Sequence, residues 1–369
     1  MSTVNMNANS YLLGRDMIMT GGTAELSMGS PKATWEVSRK TDVGFDLEMF
    51  KGKLKLSADY FYEYRDKILI KRAQIPNILG AQWGDTPWAN IGIMENRGFD
   101  ANIEFTDTTP GGFYYSLRAN MTFARNKIIE DDTVYHTWSY QDTRGRSTGL
   151  IYGLTAIGLF QTQEEVDNAP KQELDESYGV GDIRYADLNN DNVINAYDYS
   201  FIGYGRVPEI MYGFGMTFAY KGFDLTLNFT GAGNTNILLD SNGMWPFALA
   251  YPSYNIYHEY YDNRFIPGAD NTNAKYPVAH ADKNTNNFTV NSLYMRDASY
   301  LKLKTAEFGY NFSKKVCSKI HAESLRLFIN GNNIFSLDKI KIIDPEFGHL
   351  GNPAYPTQRA MTIGVQLGF

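Results

Sequence analysis

A single cysteine, Cys317, stands in 369 residues, so no disulfide can form within the chain. No apolar run approaches the roughly 20 residues that a membrane-spanning helix needs. Basic residues are outnumbered, 34 Lys and Arg against 41 Asp and Glu, giving a net charge of −7. That balance lacks the basic face by which nucleic-acid binders are usually known. His136, His258, His280, His321 and His349 are scattered without metal-ligand spacing. Most read as solvated loop residues, no catalytic residue stands out, and the chain is expected to be no enzyme. Leu/Ala-rich helical stretches are scarce. Residues 1–31 are polar and Gly-rich, and Tyr11-Leu-Leu-Gly14 is too short for the core of a signal peptide.

Aromatics are plentiful, 14% of the chain with 26 Tyr and 22 Phe, which suits strands and aromatic girdles. Apolar residues recur at every second position, the period of a strand with one greasy face. The last stretch is the clearest: Met361, Ile363, Val365, Leu367 and Phe369 alternate with Thr362, Gly364, Gln366 and Gly368. The pattern predicts nine strands. Glu36–Phe50 and Lys53–Ile70 turn at Lys51-Gly52. Arg97–Asp107 and Phe113–Ile128 turn at Thr109-Pro-Gly-Gly112. Ile210–Tyr220 and Phe223–Gly231 turn at Lys221-Gly222. Tyr300–Phe312, Leu325–Phe335 and Arg359–Phe369 follow. A phase change near Thr305-Ala306 predicts a bulge.

The connections alternate between short turns and long segments over roughly 72–91, 129–209, 232–298 and 336–358. Such asymmetry, with strands longer than the ~9–11 residues that cross a bilayer, predicts an antiparallel transmembrane β-barrel segment with short periplasmic turns and long extracellular loops. The charged faces, such as Asp42, Asp46 and Glu48, would then line a wet lumen. Two alternatives share the alternation. One is a soluble, calcium-stabilised carbohydrate-binding β-sandwich; the other is a small self-closing outer-membrane barrel.

A series of landmarks narrows this. Trp35-Glu36 precedes Val43-Gly-Phe-Asp-Leu47 and Leu54-Lys-Leu-Ser-Ala-Asp-Tyr-Phe-Tyr62. Asn96-Arg-Gly-Phe-Asp100, Gly181-Asp-Ile-Arg-Tyr-Ala-Asp-Leu-Asn189, Tyr212-Gly-Phe-Gly and Tyr220-Lys-Gly-Phe-Asp-Leu225 follow. The last are Arg296-Asp-Ala-Ser-Tyr-Leu-Lys-Leu303, Asn330-Gly-Asn-Asn-Ile-Phe335, Asp344-Pro-Glu346 and Tyr355-Pro-Thr-Gln-Arg359. In this order and spacing, the chain resembles the C-terminal barrel portion of a SusC/RagA-type TonB-dependent outer-membrane transporter. The resemblance implies a barrel of about 22 strands, nine of them supplied here. Residues 32–369 would be the barrel portion and 1–31 an extracellular loop or a truncated start. The plug domain and signal peptide would lie upstream, so a truncated product, a split partner or a sequencing fragment is expected. The implied function is uptake of a nutrient, commonly a glycan. The implied partners are a SusD-like surface lipoprotein, TonB through the plug, the barrel-assembly machinery and outer-membrane lipid. Phe369 would end the strand that the assembly machinery recognises.

One local pattern has its own chemistry. In Asp187-Leu-Asn-Asn-Asp-Asn-Val-Ile-Asn-Ala-Tyr-Asp198, Asp187, Asn189, Asp191, Asn195 and Asp198 space oxygen side chains as a Ca²⁺ loop does, with Val193 offering a backbone carbonyl. It resembles EF-hand and dockerin loops, with a structural role expected for the ion. Asn192 replaces the usual glycine, and Asn tolerates a left-handed backbone. The other reading is a polar Asx-rich turn. Aromatics also crowd the long loops: Trp83, Trp88, Trp138 and Trp245, with Tyr135, Tyr140, Tyr251, Tyr254, Tyr257, Tyr260 and Tyr261. As a set they are candidates to face a substrate or a lid partner; loop packing or a membrane girdle is the alternative. Cys317, in a predicted turn beside Lys314 and Lys315, reads as an idle thiol.

Overall fold

The computed structural model describes residues 3–13, 15–27, 29–75, 86–175, 177–240, 243–247, 255–281, 284–347 and 357–369. Trp83, Tyr251, Tyr254, His349 and Tyr355 lie outside them. The chain divides into two compact units. One comprises Met1–Val43, Tyr60–Gly98 and Arg125–Thr148; the other comprises Gly44–Asp59, Phe99–Ala124 and Gly149–Phe369.

Eleven long strands organise the described residues. An antiparallel hairpin, β1 (Thr3–Leu13) and β2 (Ile18–Ser27), lies within the segment 1–31 that reads as an extracellular loop or a truncated start. It turns at Met17, whose φ is 48°. The others are β3 (Val37–Met49), β4 (Leu54–Lys71), β5 (Trp88–Thr108), β6 (Tyr114–Glu130), β7 (Ile210–Tyr220), β8 (Phe223–Gly233), β9 (Tyr300–Asn311), β10 (Ser324–Asp338) and β11 (Ala360–Gly368). These nine form one sheet in plain sequence order, β3 to β11. The sheet ends at β3 and β11, which do not pair with each other among the described residues. That rules out the self-closing barrel. Strand β5 begins nine residues before the alternation becomes readable, because Trp88–Asn96 mixes apolar and polar residues on both sides.

The register shows why the alternation works. Tyr115 pairs with Phe218, Phe218 with Leu225, Leu225 with Phe308, Phe308 with Ile329, and Ile329 with Ile363. One residue along, Ser116, Thr217, Thr226, Glu307, Asn330 and Thr362 pair in the same succession. A pleated strand sends successive side chains to opposite faces. Six strands thus carry an unbroken apolar row on one face and an unbroken polar row on the other. The predicted bulge is real and lies one residue earlier, at Lys304. Leu303 and Thr305 pair with Phe335 and Asn332, and the same step shifts the β8 register between Asn228 and Phe229.

The apolar face is not buried. Ile363 is 82% exposed and Val43 66% exposed, with Phe45, Phe223, Phe308 and Leu327 also open. A β-sandwich would hide these residues against a second layer, so that alternative fails. The buried apolar core lies in the long connections instead. Ile151, Leu154, Ile183, Tyr185, Ile194, Leu239, Met244, Tyr260, Tyr276 and Tyr294 pack together there, and Tyr294 and Ile194 have no exposed surface. Short strand pairs brace this loop assembly. Ile183–Tyr185 joins Ala156–Leu159, Ser200–Ile202 joins Ile151–Gly153, and Asn236–Leu238 joins Met295–Asp297.

Candidate functional site

The polar face of the sheet carries a hydrogen-bonded groove. Arg118 on β6 donates to Asn228 Oδ1 on β8 (2.8 Å), and Asn228 donates to Thr305 on β9 (2.8 Å). Arg118 can cross the intervening β7 because Gly215 lies beneath it; a Cβ there would come within 2.6 Å of the Arg118 Nε. Asn102, Asn120, Thr122 and Thr230 complete the lining of a groove of about 410 Å³. Nearer the short turns, Arg326 bridges Asp224 and Glu307, and Asn330 donates to Glu307 (3.0 Å). These paired amides and charges offer donors and acceptors to a polar solute.

Where β9 meets the loops, Lys302 is buried, 2.6 Å from Asp344 and 3.1 Å from Glu346, and Lys304 holds Glu346 from the other side (2.9 Å). Burial alone would raise the Asp344 pKa. Hydrogen bonds from Lys302, Thr357 and the Glu346 amide outweigh it and hold the carboxyl below its ordinary range.

An asparagine-rich run anchors the loop assembly. Asn284, Asn286, Asn287 and Asn291 look like a solvated loop in sequence, yet all are buried. Buried polar groups need partners, and these supply them to Gly181–Tyr185. Asn286 and Gln172 both donate to the Ile183 carbonyl (3.0 and 2.9 Å), and Asn287 accepts from the Ile183 amide (3.0 Å). The Tyr185 hydroxyl donates to the Asn286 carbonyl (2.6 Å) and accepts from Asn291 (3.1 Å). His280, read as a solvated residue, sits 2.6 Å from the buried carboxylate of Asp182, which also accepts from Asn287 (2.6 Å). Burial pushes the hydroxyls of Tyr185 and Tyr294 well above the usual phenol range. Burial also raises Tyr276, to about 12, against the opposing charge of Arg296.

The oxygen-rich loop closes on itself. Asp187 accepts from the amides of Asn190 (2.7 Å) and Asn192 (2.8 Å), and Asp191 from that of Val193 (2.9 Å). Asn189 accepts from the Asp191 amide (3.1 Å). Asp198 is buried and accepts from the amides of Leu188 (2.8 Å) and Asn195 (2.9 Å), while Asn195 caps the turn Ala196–Asp198. Asn192 has φ 63°, the left-handed backbone that its position requires. Among the described residues, no three or more His, Cys, Asp or Glu side chains are gathered as metal ligands. A cation here would lean on the amide oxygen of Asn189 and the Val193 carbonyl as well as on carboxylates, a donor set that suits Ca²⁺.

The loop aromatics separate into two kinds. Trp245 packs into the loop core, 5.8 Å from Phe288 and 5.9 Å from Tyr294, and Tyr260 is buried with it. Trp138 is partly open and stacks on Tyr140 at 6.1 Å and 12°. Trp88 is the first residue of β5, not a loop residue, with the Lys71 ammonium 5.6 Å from its ring. Tyr135 and Tyr261 are exposed beneath Arg144 and Arg264. Cys317 is buried in the helix Lys314–Lys319.

No family model matches the chain. It is 26% identical to TonB-dependent receptor P26 of Formosa agariphila over 373 residues, covering 92% of this chain and 35% of that protein. It is 23% identical to TonB-dependent receptor SusC of Bacteroides thetaiotaomicron over 368 residues, covering 94% of this chain and 34% of SusC. The chain therefore spans about a third of the length of these relatives. Its fold matches the RagAB peptide transporter with a TM-score of 0.71 at 18% identity, over 100% of this chain and 38% of that one. With an open apolar face, a polar face opposite and long loops that carry the core, the chain is a length of outer-membrane β-barrel related to the TonB-dependent receptors of the SusC/RagA kind.

Proposed function

We propose that this chain supplies barrel wall and extracellular loops to a TonB-dependent importer that takes a nutrient across the outer membrane. The observation that carries the reading is the inversion of burial: the sheet's apolar residues are open, and the core is in the loops. A protein whose solvent for that face is lipid has this pattern. The substrate class we favour is an oligosaccharide. The open Trp138–Tyr140 stack and the amide-lined groove over Gly215 support it, since flat rings and amides suit sugar faces and hydroxyls. A peptide is the second reading, favoured by the fold shared with a peptide transporter. We further propose a SusD-like lipoprotein at the loop side, TonB acting through a plug, and Phe369 as part of the signal for barrel assembly.

We read the 187–198 loop as a structural Ca²⁺ site: the ion would stiffen a loop already shaped by its own Asx hydrogen bonds. Its test is thermal unfolding with Ca²⁺ or a chelator, where a Ca²⁺-dependent rise lost in Asp187→Ala is expected and an unchanged midpoint would refute it. Uptake tests the main reading. Cells carrying the intact transporter should internalise fluorescent oligosaccharides in preference to size-matched peptides, and Trp138→Ala or Gly215→Leu should reduce it. Preference for the peptides would transfer the reading to its rival; uptake of neither would overturn both.

A further inference from the structure

Four cations line one cleft where two of the long connections meet: Lys275 and Arg296 from the first, Lys339 and Lys341 from the second. We propose that this cleft captures the carboxylate of an acidic oligosaccharide, one built of uronic-acid sugars. The inference rests on the import reading and gives its substrate a charge.

The cleft holds about 510 Å³, a volume ordinary for a small-ligand site. Its walls include Leu239 and Ile342, which also pack into the loop core, so it stands on packed structure. Glu259, in the helix His258–Asn263, is the one carboxylate of the lining. Arg296 is fixed. It donates to the carbonyls of Leu293 (2.6 Å) and Met295 (2.9 Å) and to the Tyr276 hydroxyl (2.8 Å). The Tyr276 hydroxyl in turn donates to Glu259 (3.2 Å). All three acceptors of Arg296 are neutral, so its charge is not cancelled, and they take three of its five N–H groups. Lys339 lies 2.9 Å from Asp297 and Lys341 3.7 Å from Asp338, with side chains 75% and 73% exposed. Lys275 is exposed, and its ammonium meets no carboxylate among the described residues.

Charge and shape together select the ligand. The four cations outnumber Glu259, Asp297 and Asp338 by one, and the two without a carboxylate are Lys275 and Arg296. Like charges gathered in one cleft repel, and an incoming anion relieves that cost. A planar guanidinium suits a planar carboxylate, and each ammonium adds a point charge. The aliphatic side chains of Leu239 and Ile342 suit the C–H face of a sugar ring. A free peptide brings an ammonium of its own, which the cations repel; a uronate sugar brings none. Both connections lie on the long-loop side of the wall, where an importer first meets its nutrient.

The test is isothermal titration of the intact transporter, purified from outer membranes in mild detergent. The probes are digalacturonate, its neutral dimethyl ester and diglutamate. A partly exposed ion pair adds about fivefold to a binding constant. Lys275→Gln should therefore bind digalacturonate about fivefold more weakly, and Lys275→Gln with Lys341→Gln about twenty-fivefold more weakly. Glu259→Gln removes the opposing charge, keeps an acceptor for Tyr276, and should bind it about fivefold more tightly. Both lysines are exposed, so their variants should keep the parent's unfolding midpoint; if either does not fold, Glu259→Gln decides. Equal affinity for the ester, unchanged affinity in the double variant, no gain in Glu259→Gln, or tighter binding of diglutamate would each overturn the proposal. Cellular uptake of neutral oligosaccharides tests the import reading by itself, so failure of the one is told apart from failure of the other.

Discussion

Replacing a buried tyrosine by phenylalanine removes one hydroxyl and little else, and three such changes in the loop core should give three different results. The Tyr185 hydroxyl donates to the Asn286 carbonyl and accepts from Asn291. Its loss leaves that carbonyl without this donor, although Asn291 keeps its bond to the Thr289 carbonyl (2.7 Å). Two lost bonds at about 1 kcal/mol each make Tyr185→Phe cost roughly 2 kcal/mol. Tyr260 makes one bond, to the Pro277 carbonyl (2.9 Å), so Tyr260→Phe should cost about 1 kcal/mol. The Tyr294 hydroxyl is buried and meets no partner among the described residues. Its ring keeps its stacking on Tyr276 (6.1 Å). Tyr294→Phe removes a desolvated, unpaired group and should stabilise by about 1 kcal/mol. Hydrogen exchange of the Ile183, Leu239 and Phe265 amides, each bonded within the core, reads local opening directly. Exchange should quicken about thirtyfold in Tyr185→Phe and about fivefold in Tyr260→Phe, and slow about fivefold in Tyr294→Phe. Faster exchange in Tyr294→Phe, matching that of Tyr185→Phe, would refute the reasoning and point to a hydrogen-bonded water at that hydroxyl.

Three further outcomes are expected. Tyr276, pushed up to about 12 by burial, favours folding while neutral; that contribution is whole below the unfolded phenol pKa of about 10 and is lost as pH rises toward 12. Phenolate absorbance and amide exchange should therefore report loosening of the loop assembly between those values. Asp131 and Asp132 are partly desolvated, which alone would raise their pKa values. Hydrogen bonds from Thr133 and Thr143 to the first, and from Arg72 and the Ala73 and Gln74 amides to the second, lower both. Their contribution is whole above the unfolded carboxyl pKa of about 4 and fades as pH falls below it. Asp132→Asn should flatten that acid dependence in a thermal-unfolding series. Finally, Lys302→Met leaves Asp344 poorly compensated beside a buried methylene chain and should cost about 3 kcal/mol by urea unfolding. Adding Asp344→Asn should recover part of the loss; no recovery would show that the ion pair is not the cause.

Much of the wall was legible because a two-residue period is a local signal. Ile210–Tyr220 was read to the residue, and the phase change from Leu301 and Leu303 to Phe308 and Tyr310 located the bulge at Lys304 to within two residues. The loops were opaque for the opposite reason. Their core is assembled from short, separated pieces, such as Ile151–Gly153 with Ser200–Ile202, with no period to read. Asn284–Asn291 has the composition of a surface turn; only long-range pairing with Ile183 and Tyr185 explains its burial. Trp245 and Tyr260 share that fate, since sequence cannot tell a stacking platform from packing. The hairpin of β1 and β2 was masked by small and polar residues, Gly21 and Gly22 among them. At the oxygen-rich loop, the need for a left-handed residue at Asn192 was legible because that conformation is a property of one residue.

The open apolar face of the sheet should meet lipid. Single cysteines placed in turn from Thr362 to Leu367, in a Cys317→Ala background and spin-labelled in reconstituted bilayers, test it most directly. Collision rates with dissolved oxygen should peak at Ile363, Val365 and Leu367, and rates with a water-soluble nickel chelate should peak at Thr362, Gly364 and Gln366. A flat profile, or chelate access at the odd positions, would contradict the account.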